Sequence, residues 1–133
     1  MHSLTVCDHI MIAHSFRGEV FGPAQRLHGA TYTVEAEFRA PQLDALGLLV
    51  DIGLARRELR RILDALDYRN LDDEPDFAGR NTTTEVVAQH IWTLLAQACR
   101  GGALGDGGKR VTALKVCLRE SPLAWAAYDA AVG

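Results

Sequence analysis

Asp8–Tyr32, DHIMIAHSFRGEVFGPAQRLHGATY, holds the pattern that decides the fold. An apolar run, Ile10-Met11-Ile12-Ala13, ends on His14, and a loop punctuated by Gly18, Gly22 and Pro23 follows. His28-Gly29 then opens a run in which Tyr32, Val34, Ala36 and Phe38 alternate with Thr31, Thr33, Glu35 and Glu37. Period-two alternation is the mark of a half-buried strand. Upstream, Leu4, Val6, Ile10 and Ile12 alternate with Thr5, Cys7, His9 and Met11. His14 shares the Ile10/Ile12 side by parity, and His9 falls on the other. If the two strands pair antiparallel, the end of the first lies beside the start of the second. His14 and His28 then meet at one rim of a sheet, the placement a metal site needs. Two imidazoles that only hydrogen-bond at a pocket rim need the same placement.

At 133 residues the chain is one domain, 1–133, with room for a real core but not for a second domain. Hydrophobic residues make up 48% and mean hydropathy is -0.01, values of a soluble globular protein. No apolar run approaches the roughly 20 residues that span a bilayer, so no membrane partner is expected. The first residues lack the basic start and long apolar core of a secretory leader. Cys7, Cys99 and Cys117 are odd in number and contain no CxxC, which points to reduced thiols in a cytoplasm. A net charge of -3 with mixed signs gives no electrostatic case for nucleic acid. Arg56, Arg57, Arg60 and Arg61 form the one basic cluster and read as the solvent face of a helix.

Leu48-Leu49-Val50-Asp51-Ile52 reads as the end of a short strand leading into a helix, on which Leu59, Ile62, Leu63 and Leu66 fall at helical spacing. That helix is expected to stop near Asp67. A second amphipathic helix carries Val87, Ala88, Ile91, Leu94, Leu95 and Ala98, and Thr82 with Glu85 fits a capping box at its start. Gly101 to Gly108 has neither the length nor the Lys-Ser/Thr of a phosphate loop and reads as a flexible turn. Leu114, Val116 and Leu118 alternate through a third strand, and Leu123 to Tyr128 is open between a fourth strand and a helix. The order predicts an α+β domain, a four-stranded antiparallel sheet with two helices packed on one face. Such a sheet leaves two unpaired edges, which proteins rarely leave open.

A strand ending in Ala13-His14, a loop of about a dozen residues, and Leu27-His28-Gly29 opening a second strand resemble the 6-pyruvoyl-tetrahydropterin synthase / 6-carboxytetrahydropterin synthase family. The likeness continues through Val50-Asp51, Leu66 to Leu71, Thr82-Thr83-Thr84-Glu85 and Glu120 to Tyr128, nearly the whole chain in order. It implies a tunnelling-type fold whose sheets close into a homo-oligomeric barrel with active sites between subunits. It also implies a lyase or synthase acting on a dihydropterin or related reduced heterocycle, with zinc as cofactor.

Residue by residue, the chemistry departs from that pattern. The resemblance assigns His14 and His28 to the metal, but the third histidine position is Ala30, and His9 and Glu19 are the nearest replacements in sequence. The proton-transferring cysteine position is Ala24; some relatives carry glutamate in that role, for which Glu19 stands out of register. Where the family has Leu-Asp-His, this chain has Leu66-Asp67-Tyr68. A phenol is a poor base near neutral pH but a reasonable donor toward a developing oxyanion, so Asp67 and Tyr68 are the catalytic candidates. The recognition end is kept: Thr83, Thr84, Glu85 and Glu120 match the residues that hold the pterin ring. Glu85 has the capping box as a competing role. Glu120 follows Leu114, Val116 and Leu118 on their parity, so its carboxylate is expected at a rim or buried against a ligand or cation. A carboxylate facing two adjacent N–H donors makes the bidentate contact that selects a pterin- or guanine-like edge. The alternative to metal-assisted proton transfer is a catalytically inactive binder of pterin- or purine-like ligands.

Overall fold

The computed structural model describes residues 1–133. The two runs of the opening stretch form β1 (His2–His14) and β2 (His28–Ala40), paired antiparallel from His2↔Ala40 to His14↔His28. β4 (Ala113–Ser121) pairs antiparallel with β2, and β5 (Ala124–Ala131) with β4. The stretch left open between helix and strand is therefore a strand. Cross-strand pairing of its small alanines with β4 overrides their helix propensity.

The sheet has five strands in the order β3-β1-β2-β4-β5, one more than expected. The addition, β3 (Arg69–Asn70), runs parallel to β1 at Ile12↔Arg69 and Ala13↔Asn70. Two residues carry no periodicity, so nothing in the sequence marks them.

One face of the sheet is dry. Val6, Ile10 and Ile12 of β1, Tyr32, Val34, Ala36 and Phe38 of β2, and Leu114, Val116 and Leu118 of β4 are all buried on it. They pack under α1 (Ile52–Asp64) and α2 (Thr84–Gly101), which contribute Leu59, Ile62 and Leu63 and Val87, Ile91 and Leu95. Fully burying each large aliphatic side chain is worth about 1.5–3 kcal/mol, so this layer is what holds the two helices on the sheet.

Four local expectations are corrected. Residues 48–51 form a turn, not a strand, although they do lead into α1 at Ile52: Asp44 Oδ1 accepts the N–H groups of Leu46 and Leu48, and Asp51 caps α1 by accepting from Leu54 N–H at 2.9 Å. α1 stops at Asp64, short of Asp67. α2 is capped by Thr83, whose hydroxyl accepts from Val86 N–H, so the Thr82/Glu85 capping box does not form. Finally, Gly101–Gly108 is structured. Gly102 ends α2 with a left-handed φ of 87°, and a short helix, α3 (Gly105–Lys109), follows. A Cβ on Gly107 would meet the Leu49 carbonyl oxygen at 2.7 Å, so this segment is tightly packed rather than loose.

Arg60 also departs from the solvent-face reading. Its guanidinium donates to Asp64, Asp8, Asp67 and the carbonyl of His9, tying α1 to β1. The thiols differ from one another: Cys99 is buried in the core, Cys7 is exposed, and Cys117 lines a cleft on the sheet's polar face with Glu35 and Arg119. Burial pushes the Cys99 thiol up to about 11, which leaves it inert at neutral pH.

Candidate functional site

The antiparallel register places His14 directly opposite His28, and their ring centroids are 4.5 Å apart at 60°. The expected meeting of the two imidazoles is thus present within one chain. Each ring is anchored through Nδ1. His28 Nδ1–H donates to the Arg26 carbonyl at 2.8 Å, which in the neutral ring leaves the lone pair on Nε2. His14 Nδ1 lies 3.0 Å from the hydroxyl of buried Thr82. Burial holds the His14 pKa below the ordinary imidazole value; neighbouring His28 pushes the same way, while Thr82 and Asp72 oppose it. Anchored Nδ1 and free Nε2 is how metal-binding histidines are usually oriented.

The loop after β1 closes over this pair. Phe16 packs on His14 at 4.5 Å and on His28 at 5.5 Å, and Phe21 packs on Phe16 at 4.7 Å. The loop is fixed at both ends, with Phe16 N–H donating to the Ala24 carbonyl, and Arg17 N–H to Asn81 Oδ1. Phe16 and Phe21 escaped sequence reasoning because a loop aromatic has no period to betray its direction.

A zinc ion of the usual catalytic type needs three protein ligands. Ala30 is two residues beyond His28 on the same strand face and offers no donor. His9 is exposed and Glu19 opens a short 3-10 segment at the surface; no cluster of three or more His, Cys, Asp or Glu side chains able to hold a metal exists in the chain. The donor set stops at two imidazoles and does not fit a three-ligand zinc site.

Asp67 and Tyr68 lie at the turn between α1 and β3, and their roles there differ. Asp67 Oδ1 accepts from Met11 N–H at 2.9 Å and Oδ2 from Arg60 Nη2 at 3.0 Å, so both oxygens are engaged. Tyr68 has a left-handed φ of 59°, uncommon for a residue with a bulky side chain, and its own N–H donates to the Met11 carbonyl at 2.7 Å. A strained φ of this kind costs about 1–3 kcal/mol, while a hydrogen bond to a charged group returns about 1.5–3 kcal/mol. The Asp67 anchors are therefore sufficient to hold Tyr68 in place. Its phenol is 81% exposed, beside Met11, Ile12 and Ala13.

The recognition residues gather at the start of α2. Thr84, Glu85 and Glu120 line a cleft of about 300 Å³ with Ala124, Trp125 and Ala126. Glu120 is exposed and lines the cleft, a rim position rather than a buried one; β4 carries it past the edge of the core. It makes no ion pair or hydrogen bond within the chain. Segment 82–85 joins the two ends of the site, with Thr82 on His14, Thr83 as the cap, and Thr84 and Glu85 in the cleft. The cleft itself does not reach the imidazoles, and Tyr68 lies across the sheet from it.

The α+β domain, with paired imidazoles at one strand end and a free carboxylate cleft beside a helix start, has the architecture of a tunnelling-type fold. Comparison with known proteins gives the family. The model for 6-pyruvoyl tetrahydropterin synthase matches residues 3–131. The 6-carboxy-5,6,7,8-tetrahydropterin synthase of Bacillus subtilis (strain 168) is 30% identical over 124 residues, 90% of this chain and 80% of that protein. Among solved structures, the Caenorhabditis elegans 6-pyruvoyl tetrahydropterin synthase superposes with a TM-score of 0.79 at 22% identity, covering 97% of this chain and 95% of its own. The Plasmodium vivax enzyme of that name does so at 0.76 and 16%, covering 98% and 99%. The chain belongs to the 6-pyruvoyl tetrahydropterin synthase family.

Proposed function

We propose that the protein is a pterin synthase-like lyase that binds a dihydropterin or related reduced heterocycle through Glu120. The observation that carries this reading is the unpaired Glu120 carboxylate in a cleft with Thr84 and Glu85, in a chain matched to this family from end to end. Two carboxylate oxygens can accept two adjacent N–H groups of a ring edge, which fixes the ring's orientation as well as holding it. Thr84 supplies a hydroxyl partner for the ring while Thr83 fixes the start of α2 beneath it, and Glu85, released from the capping box, lines the cleft.

For the proton transfer, the reading assigns the donor to the Tyr68 phenol, which is exposed and held outward by its backbone conformation. Asp67 serves as a positioning residue, because both of its oxygens are already occupied. Within one chain Tyr68 and Glu120 stand at opposite sides of the sheet, so the reading requires a homo-oligomer in which neighbouring copies bring them together. Zinc enters no step. No helix is long and apolar enough to cross a membrane, and three unpaired thiols suit a reducing, cytoplasmic setting.

One observation favours a second reading, an inactive binder. Ala24, Ala30 and Tyr68 occupy three positions at which the family pattern carries reactive side chains. Two measurements separate the readings. Pterin titrated into the protein should quench its own fluorescence on binding, and Glu120→Gln should weaken that binding at least tenfold. Incubation with a 6-substituted dihydropterin, followed by chromatography, should reveal a changed side chain. Tight binding without turnover selects the binder; a Glu120→Gln protein that binds pterin normally removes both.

A further inference from the structure

The hydroxyl of Tyr32 is fully buried and has no hydrogen-bond partner. Tyrosine is the largest side chain in the centre of β2, and a buried phenol without a partner is uncommon because it gives up its bond to water for nothing. Its surroundings are specific. The β2–β4 ladder runs up to Thr33↔Arg119, and Tyr32 and Glu120 are the next residue on each strand, near enough for the Glu120 carboxylate to act on the phenol. Tyr32 shares its face with Ala30 and His28, and Thr84 lies beside the phenol without completing a hydrogen bond. Burial raises the phenol's pKa, and the carboxylates of Glu120 and Glu85 push it further up against the opposing pull of Thr84, so it stays a proton donor at any ordinary pH. A buried donor thus sits near a carboxylate that is exposed and unpaired.

We infer that Tyr32 is a positioning residue of the recognition site, donating its O–H to the Glu120 carboxylate when a ring with two adjacent N–H groups draws that carboxylate over the cleft. This rests on the proposed role of Glu120 and deepens it. A carboxylate has about four lone-pair positions. The ligand edge takes one on each oxygen, and the phenol takes a third from below, which locks the carboxylate's rotation in the plane of the ring. Without ligand the carboxylate stays in water and the phenol goes unsatisfied. The protein then carries a cost in the free state that ligand binding recovers.

That trade-off gives an unusual sign to the test. Tyr32→Phe removes only the oxygen, so the unliganded variant should melt at the same temperature as the natural chain or higher. Its affinity for pterin, read by fluorescence quenching, should fall about tenfold. In the Glu120→Gln background the same change should have little further effect, because the two residues act as one unit. A drop in the unliganded Tm would mean that the phenol already has a structural partner, and would overturn the inference. So would normal pterin affinity in Tyr32→Phe, or full additivity with Glu120→Gln. If Glu120→Gln alone binds pterin normally, the pterin reading itself fails, an outcome distinct from a defect absent only in Tyr32→Phe.

Discussion

Ala30 decides how the paired imidazoles can be used. It follows His28 by two residues on the same strand face, and an imidazole there would stand about 7 Å further along, within reach of the two existing rings. His14 and His28 already have their Nδ1 atoms anchored, so an additional ring would meet a prepared pair. Ala30→His is expected to bring zinc to one ion per chain after dialysis and to raise Tm in the presence of zinc. The natural chain should hold far less, and chelator should leave its Tm unchanged. If Ala30→His retained no more zinc than its parent by metal analysis, the Nε2 atoms would not converge on a common point. At this scale the sequence was informative where parity could be counted. His14 on the Ile10/Ile12 face and His9 on the other follow from period two, and the meeting of His14 with His28 follows once the strands pair antiparallel. Tyr32 was legible only as a core residue, because no pattern tells a satisfied phenol from an unsatisfied one. Nor was the engagement of Asp67 legible, since Met11 reaches it from another strand and Arg60, seven residues before it, is shared with Asp8 and Asp64.

Elements with many periodic residues were the readable ones. β1, β2, β4 and the two long helices all announce themselves through a run of apolar positions, and the layer they form follows from those positions. Segments governed by a single close contact did not. Gly107 packs against the Leu49 carbonyl and the Val50 Cα, where a Cβ would lie at 2.7 and 3.2 Å. In sequence the same glycines read as slack, yet they hold α3 against the turn that precedes α1. Both obstructing atoms are backbone, so Gly107→Ala cannot be relieved by moving a side chain. Such overpacking costs about 1–3 kcal/mol, and thermal unfolding should show Tm lower by several degrees. Substitution at Gly101 is the control, since nothing lies near its Cβ position; an equal effect at both sites would point to helix ending rather than packing. The register of α2 is another case of one contact deciding the outcome. Moving the cap from Thr82 to Thr83 frees Thr82 for His14 and turns Glu85 toward the cleft.

The whole molecule is a sheet with two unlike edges and no room to close on itself. One edge is the two-residue β3 beside β1, and the other is β5, whose residues alternate between exposed and half-buried. Tyr68 stands at the first edge. Glu120 belongs to the second, on β4 with its cleft completed by Ala124, Trp125 and Ala126 of β5. Three strand spacings separate them, about 14 Å, too far for one small heterocycle to touch both. In the proposed homo-oligomer, unlike edges of identical chains would meet head to tail and repeat until a ring closes, and each junction would have to set Tyr68 of one copy near Glu120 of the next. Particle mass in solution should then be a multiple of 14.5 kDa. A mixing experiment tests the shared site more sharply. Tyr68→Phe and Glu120→Ala proteins should each be inactive, but subunits exchanged between them at equal amounts should regain about a quarter of natural turnover. In a ring with random placement, one junction in four receives both intact residues. Pterin binding must remain in Tyr68→Phe and be lost in Glu120→Ala for the comparison to count. Mixed rings that stay silent, despite proven exchange, would remove Tyr68 from the reaction or return the whole site to a single chain.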